Sequence, residues 1–269
     1  KSMRTLIFML LVALSLPSLG CRTAAGERVS RTAANLVLPP AQEEQLGDQM
    51  AAQVEAEATL LQGTEVSDYV QRIGRKVVSN ASADKPEAID FEFHVIEDDQ
   101  TVNAFAIPGG DIYITTGLLK AADSEAELAA VLAHEVAHVT QRHIARQLAV
   151  NYGISALANI ALGGSAGQLQ QLVAGLLANG YLLKYSRDDE READAVGMRY
   201  LVSSGYSPYG YVSFFEELAN SPQPPLLLSS HPHPEERVLN ARREIAQYRR
   251  GVVNQPDYKA RYTEKTATL

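Results

Sequence analysis

Between Ala126 and Val139 the chain is apolar almost without a break. Leu128, Ala129, Ala130, Val131, Leu132, Ala133, Val136, Ala137 and Val139 leave only Glu127, His134, Glu135 and His138 as polar positions. A helix apolar on every side is a buried helix. Its start is written locally: Ser124 followed by Glu127 predicts a capping box, and Asp123 and Glu125 favour the positive helix end. At ~100° per residue, positions 134, 135 and 138 share an arc of ~100°.

Other elements follow from periodicity and punctuation. Ala41 to Leu61 has helical composition and ends at Gly63. Thr64 or Ser67 can cap a second helix with Val66, Tyr69, Val70, Ile73, Val77 and Val78 on one side. Phe91 to Ile96 alternates and is β-rich, so it predicts a strand, with His94 a sheet-surface residue rather than a ligand. Asn103 to Ile107 predicts a second strand, stopped by Pro108-Gly109-Gly110, and Asp111 to Thr115 a third. A short antiparallel sheet ahead of a long buried helix implies a mostly helical α+β domain. Residues 148–180 are rich in Ala, Gly, Leu and Ile and fit either buried helices or a mobile flap. Tyr181 to Leu201 predicts a long helix with Ala193, Val196, Gly197, Tyr200 and Leu201 on its apolar stripe. Pro208 to Asn220 predicts a shorter one, with Phe214 and Phe215 inward. A proline-rich loop at 221–225 precedes a final helix that opens after His231-Pro232 and runs to about Arg250. Gly251 to Leu269 reads as a polar, poorly ordered tail.

Composition narrows the setting. The chain has 269 residues, a formal net charge of −8 and a sequence pI ≈ 5.3. That balance argues against a general nucleic-acid binder, which wants a basic face. A single cysteine excludes an internal disulfide. Lys1 and Arg4 precede an apolar run from Leu6 to Leu19, which as a helix would reach ~21 Å, short of the ~30 Å hydrocarbon core. It reads as an export signal over residues 1–20. Cys21 follows Ser18-Leu19-Gly20, similar to a bacterial lipoprotein signal, although Ser18 stands where an aliphatic residue is usual. The expectation is an exported, periplasmic protein tethered through lipidated Cys21, with a linker over 21–40, a domain over 41–250 and a tail over 251–269. Arg22 after Cys21 leans towards the outer membrane.

The chemistry lies in His134-Glu135-Val136-Ala137-His138. Two imidazoles one turn apart can reach one ion, and the glutamate beside them can reach a water on it, as zinc hydrolysis requires. In a wholly apolar helix such groups need partners, because an unpaired buried polar group costs several kcal/mol. Two satisfied core histidines would be the plainer reading of the same pattern. For a third ligand, Asp189 and Glu190 both project onto the stripe of the Tyr181–Leu201 helix. Acids in a first helical turn also serve the helix dipole. Pattern alone favours Glu190 without excluding Asp189. His143 falls about 140° around the helix from His138 and receives no role, nor does His233.

Several motifs stand in order: Asn103-Ala104-Phe105-Ala106 with Gly109-Gly110, HEVAHVTQRH, Ser186-Arg187 with Glu190-Arg191-Glu192-Ala193-Asp194, and His231-Pro232 with Arg237. Together they resemble the zinc metallopeptidase family that includes the HtpX heat-shock protease and the CAAX prenyl proteases, with similarity over roughly Gln42 to Arg250. The resemblance implies a zincin-like fold and one Zn2+ held gluzincin-fashion by His134, His138 and Glu190, which removes Asp189 from contention. It implies that Glu135 is the general base and that Asp194 is a residue behind the ligands or a proton donor. His231 would approach the zinc and hold the site shut. A metal-bound histidine wants a carboxylate on its other ring nitrogen, in keeping with Asp194.

The function implied is a zinc endopeptidase acting on polypeptides, with unfolded or misassembled envelope proteins as substrates. The strand at Asn103 and Ala104 would receive an extended substrate. The rival reading is a lipid-anchored chaperone or assembly factor whose zinc is structural or latent.

Overall fold

The computed structural model describes residues 38–86, 89–152, 167, 171, 185–220 and 225–269. The expected signal peptide, Cys21, most of the linker, most of the 148–180 stretch and positions 221–224 lie outside the described residues.

Helix α1 (Pro40–Glu57) starts on a proline at its first turn, where a missing N–H costs nothing. Helix α2 (Glu65–Asn80) begins on a complete capping box between Thr64 and Ser67. Strands β1 (Glu92–Ile96), β2 (Ala104–Ala106) and β3 (Asp111–Thr115) follow, with a tight turn at Pro108–Gly110 joining the last two. Then come α3 (Thr116–Ala121), α4 (Glu125–Thr140), α5 (His143–Tyr152), α6 (Arg187–Ser203), α7 (Tyr209–Asn220), α8 (Leu227–Ser230), α9 (Pro234–Ile245), α10 (Arg250–Val253) and α11 (Lys259–Lys265).

The α+β class holds, but the sheet is mixed rather than antiparallel. Its order is β1-β3-β2. The β2–β3 hairpin is antiparallel, whereas β1 runs parallel to β3, pairing Glu92 with Asp111 through Ile96 with Thr115. Alternation along a strand fixes which face is buried, not which neighbour it takes. Here the 97–103 connection carries the chain past β3, so the first two strands are never adjacent.

Helix α4 is the axis of the domain, and every residue in it is buried. The Ser124 hydroxyl accepts from Glu127 N at 3.2 Å. The Glu127 carboxylate accepts from Asp123 N at 2.6 Å, one residue before the cap. Two glycines allow close crossings: a Cβ on Gly210 of α7 would meet Ala126 O at 2.4 Å, and one on Gly197 of α6 would meet Ala133 O at 3.0 Å.

The segment expected to be a loose tail is ordered. Tyr262 is 3 % exposed and donates to Leu119 O at 2.6 Å. Arg261 Nε reaches Glu125 Oε2 at 2.5 Å. The same buried carboxylate accepts from Tyr69 Oη at 2.6 Å and Tyr206 Oη at 2.8 Å. A charged group at the foot of α4 is thereby paired rather than stranded. Among the described residues no helix is long and apolar enough to cross a membrane.

Candidate metal centre

The helical period does what the sequence promised for α4. The Nε2 atoms of His134 and His138 lie 2.9 Å apart. Helix α6, capped by Ser186 and Asp189, brings Glu190 across them: Oε2 is 3.5 Å from His134 Nε2, and Oε1 is 3.5 Å from His138 Nε2. His231, at the C-terminal end of α8, places Nδ1 3.1 Å from His134 Nε2 and 3.0 Å from Glu190 Oε1. Its Nε2 is 3.5 Å from Glu135 Oε1. All five side chains are buried, and donor atoms of His134, His138, Glu190 and His231 lie within 4.8 Å of one another.

Asp189 is elsewhere. Its carboxylate accepts from Ser186 N and Oγ and from Arg146 Nη2, so it serves the cap. Asp194, one turn beyond Glu190, sets Oδ1 3.1 Å from His134 Nδ1. Arg237 of α9 grips Asp194 through Nη2 at 2.6 Å and Nε at 3.0 Å, and reaches Glu190 Oε2 through Nη1 at 3.1 Å. Its guanidinium also lies 3.9 Å over the Phe215 ring.

Electrostatics sort these groups by role. Burial lowers His134 to about 4, with Arg237 acting in the same direction. Burial and the neighbouring His134 hold His138 well below its ordinary value. Both imidazoles are therefore neutral, the form that ligates a metal. Burial raises Glu135 to about 7, against the pull of His231. Burial would raise Glu190 as well, but His231 and Arg237 outweigh it and leave the carboxylate low. For Asp194 burial is again outweighed, here by Arg237 and His134, and its carboxyl stays far below the usual range. Burial disfavours the His231 cation, yet Glu190 and Glu135 raise it overall.

The donor set fits one zinc ion. Two neutral imidazole nitrogens and a carboxylate face a common point, and tetrahedral sites take such N and O ligands. Both oxygens of Glu135 are buried with no hydrogen-bond partner, and Glu190 Oε2 has none beyond its 3.1 Å ion pair with Arg237. An orphaned buried carboxylate is costly, and a dication at this point relieves it.

Sequence reasoning missed three neighbours. Tyr211 of α7 puts its hydroxyl 3.0 Å from His134 Nδ1, and Tyr185 stacks on His138 at 3.8 Å between ring centroids. His143 was placed on the wrong side. Helix α4 stops at Thr140, Arg142 adopts φ 61, and α5 starts afresh at His143. That break turns the His143 ring back, so its Nδ1 is 2.9 Å from His138 Nδ1. No glycine or proline marks the break. His233 is exposed at a left-handed N-cap.

On the sheet, Ile107 N bonds Asp111 O and Thr115 N bonds Asn103 O, each at 3.0 Å. With Phe105 opposite Tyr113, residues 103, 105 and 107 turn their backbone groups towards β3. Alternation then aims those of Ala104 and Ala106 outward, where β2 is the last strand. The Ala106 N–H faces Glu135 and draws its pKa down. Asn103 is buried, and its Oδ1 has no hydrogen-bond partner.

A buried HExxH helix completed by a glutamate from a later helix defines the gluzincin class of zinc metallopeptidases. The chain belongs to Peptidase family M48, whose family model matches residues 65–245, and His134, His138, Glu190 and His231 form a buried cluster that could hold a metal ion. It is 34% identical over 252 residues to the beta-barrel assembly-enhancing protease of Escherichia coli (strain K12), a match covering 88% of this chain and 50% of that one. It is 30% identical over 193 residues to metalloprotease YcaL of the same strain, covering 68% and 74%. Mitochondrial metalloendopeptidase OMA1 of Schizosaccharomyces pombe is 34% identical over 152 residues, covering 56% and 43%. The chain spans about half the length of the beta-barrel assembly-enhancing proteases that it matches.

Proposed function

We propose that the protein is an envelope endopeptidase that cuts unfolded or misassembled polypeptides. The observation that carries this is Glu135. Its carboxylate is buried beside the metal donors, faced by His231 at 3.5 Å and by the Ala106 N–H, and burial raises it to about 7. A structural metal site has no use for such a group, whereas a general base works best with a pKa near the operating pH.

His134, His138 and Glu190 would hold a zinc ion, which would supply Lewis-acid polarisation of the peptide carbonyl and acidify the attacking water. Glu135 accepts the proton of the attacking water and returns it to the departing amine. Asp194 stays ionised, so its part is to hold His134 by the Nδ1–H rather than to donate a proton. Arg237 anchors Asp194 and Glu190 together. His231, wedged between His134, Glu190 and Glu135, closes the site and must swing away to admit a polypeptide. The outward backbone of Ala104 and Ala106 then accepts an extended substrate as an added strand, with the Asn103 side chain beside it.

The relatives' names give this reading its setting: one is an assembly-enhancing protease for beta-barrels. A periplasmic location with a lipid tether at Cys21 in the outer membrane belongs to the same proposal. The closed site also favours a second reading, a chaperone with latent zinc. Metal analysis with a proteolysis assay separates the two. On unfolded casein, Glu135→Gln should keep its zinc and lose about 10²–10⁴-fold in cleavage rate. Equal cleavage by wild type and Glu135→Gln would sink the endopeptidase mechanism.

A further inference from the structure

We infer that His143 is a positioning residue for the metal centre, holding His138 from behind as Asp194 holds His134. This rests on the reading of His134, His138 and Glu190 as zinc ligands. His138 turns Nε2 to His134 and Glu190 and Nδ1 to His143 Nδ1 at 2.9 Å. An imidazole that ligates through Nε2 carries its proton on Nδ1, so His138 donates and His143 must accept. His143 Nδ1 is then bare and its proton sits on Nε2, which donates to Glu192 Oε2 at 3.2 Å. Glu192 is fixed in turn by Arg146 Nη2 at 2.9 Å, and Arg146 holds Asp189 of the α6 cap at 2.8 Å.

The chain of contacts allows one arrangement of protons, and its far end is a carboxylate. Such a chain raises the basicity of the ligating nitrogen and fixes the ring's orientation. It also ties the α4 ligands to the helix that supplies Glu190. The two ligand histidines are backed unequally, His134 directly by a carboxylate and His138 through a neutral ring. His143 touches neither substrate nor reacting atoms, so its effect is read in the metal and not in turnover.

The test is zinc affinity, measured by competition with a chromophoric chelator, on wild type, His143→Phe, His143→Asn and Glu192→Gln. His143→Phe keeps the ring's bulk but has no acceptor, and should weaken zinc binding about 10–100-fold. The Asn side chain puts Oδ1 where Nδ1 stood and should recover at least half of that loss on a logarithmic scale. Glu192→Gln should give a smaller loss. In zinc-loaded wild type, imidazole ¹⁵N spectra should show His143 protonated on Nε2 and His138 on Nδ1. Should His143→Phe not fold, the Asn and Gln variants and the spectra decide.

Equal affinities across the series, or a His143 protonated on Nδ1, overturn the assignment and leave the ligand set intact. A wild type that takes up no zinc overturns both.

Discussion

Replacing Tyr262 tests whether the end of the chain is part of the domain. Its ring is 3 % exposed, lies 6.3 Å from that of Tyr69, and its hydroxyl donates to Leu119 O at 2.6 Å. Tyr262→Phe keeps the packing and leaves one carbonyl unpaired, a loss of about 1 kcal/mol. Tyr262→Ala also removes the ring, and truncating a buried aromatic costs about 3–5 kcal/mol. At about 2–4 °C per kcal/mol for a chain of this size, Tm should fall by about 2–4 °C and about 6–20 °C respectively. The neighbouring Arg261–Glu125 pair adds little to this, because the Arg261 side chain is 45% exposed and such pairs are worth about 1 kcal/mol or less. Thermal melts of the zinc-free protein read the effect without involving the metal. A Tyr262→Ala melt within a degree of wild type would show that α11 is not docked on α3, α4 and α2.

Three further tests concern the site and its surroundings. Asp194→Asn removes the charge that faces Arg237 and replaces the carboxylate behind His134 Nδ1 with a weaker, neutral amide acceptor. Zinc affinity should fall about 10–100-fold, which cuts zinc-induced stabilisation by about 1.4–2.7 kcal/mol at fixed free zinc; an unchanged zinc-dependent Tm refutes it. His231→Ala should cleave unfolded casein faster than wild type with zinc content unchanged, and slower or equal cleavage rejects the gate. Burial raises Glu43 to about 7, outweighing Arg142, whose Nη2 is 2.7 Å from Glu43 Oε2. A carboxyl with a folded-state pKa above its unfolded value stabilises most below the unfolded one and loses that contribution as pH rises. Urea unfolding of wild type, measured relative to Glu43→Gln, should therefore weaken between about pH 4.5 and 7. A difference that grows over that interval would show the ion pair winning instead.

What was legible in the sequence was whatever lay inside one element. His134, Glu135 and His138 share α4, so the helical period alone placed them, and the apolar run predicted their burial. Glu190 and Asp194 share α6, and their spacing survived for the same reason. Choosing Glu190 over Asp189 needed the resemblance, because both project onto one stripe and only the start of α6 shows Asp189 committed to its cap. His143 was lost because Arg142 enters the left-handed region with no glycine to announce it. The direction of β1 was lost because alternation is silent on pairing partners. The C-terminal helices were lost because their polar residues outnumber the few aromatics, such as Tyr262, that dock them.

Under the proposed strand addition, the outward-facing groups of Ala104 and Ala106 would set a limit on diet. A guest strand aligned on them must offer an amide hydrogen at every second position, and proline has none. Cleavage maps of a proline-rich unfolded protein should thus show gaps wherever a proline falls in register with either alanine. Cuts spread evenly through such stretches would mean that the guest is held by its side chains and not by its backbone.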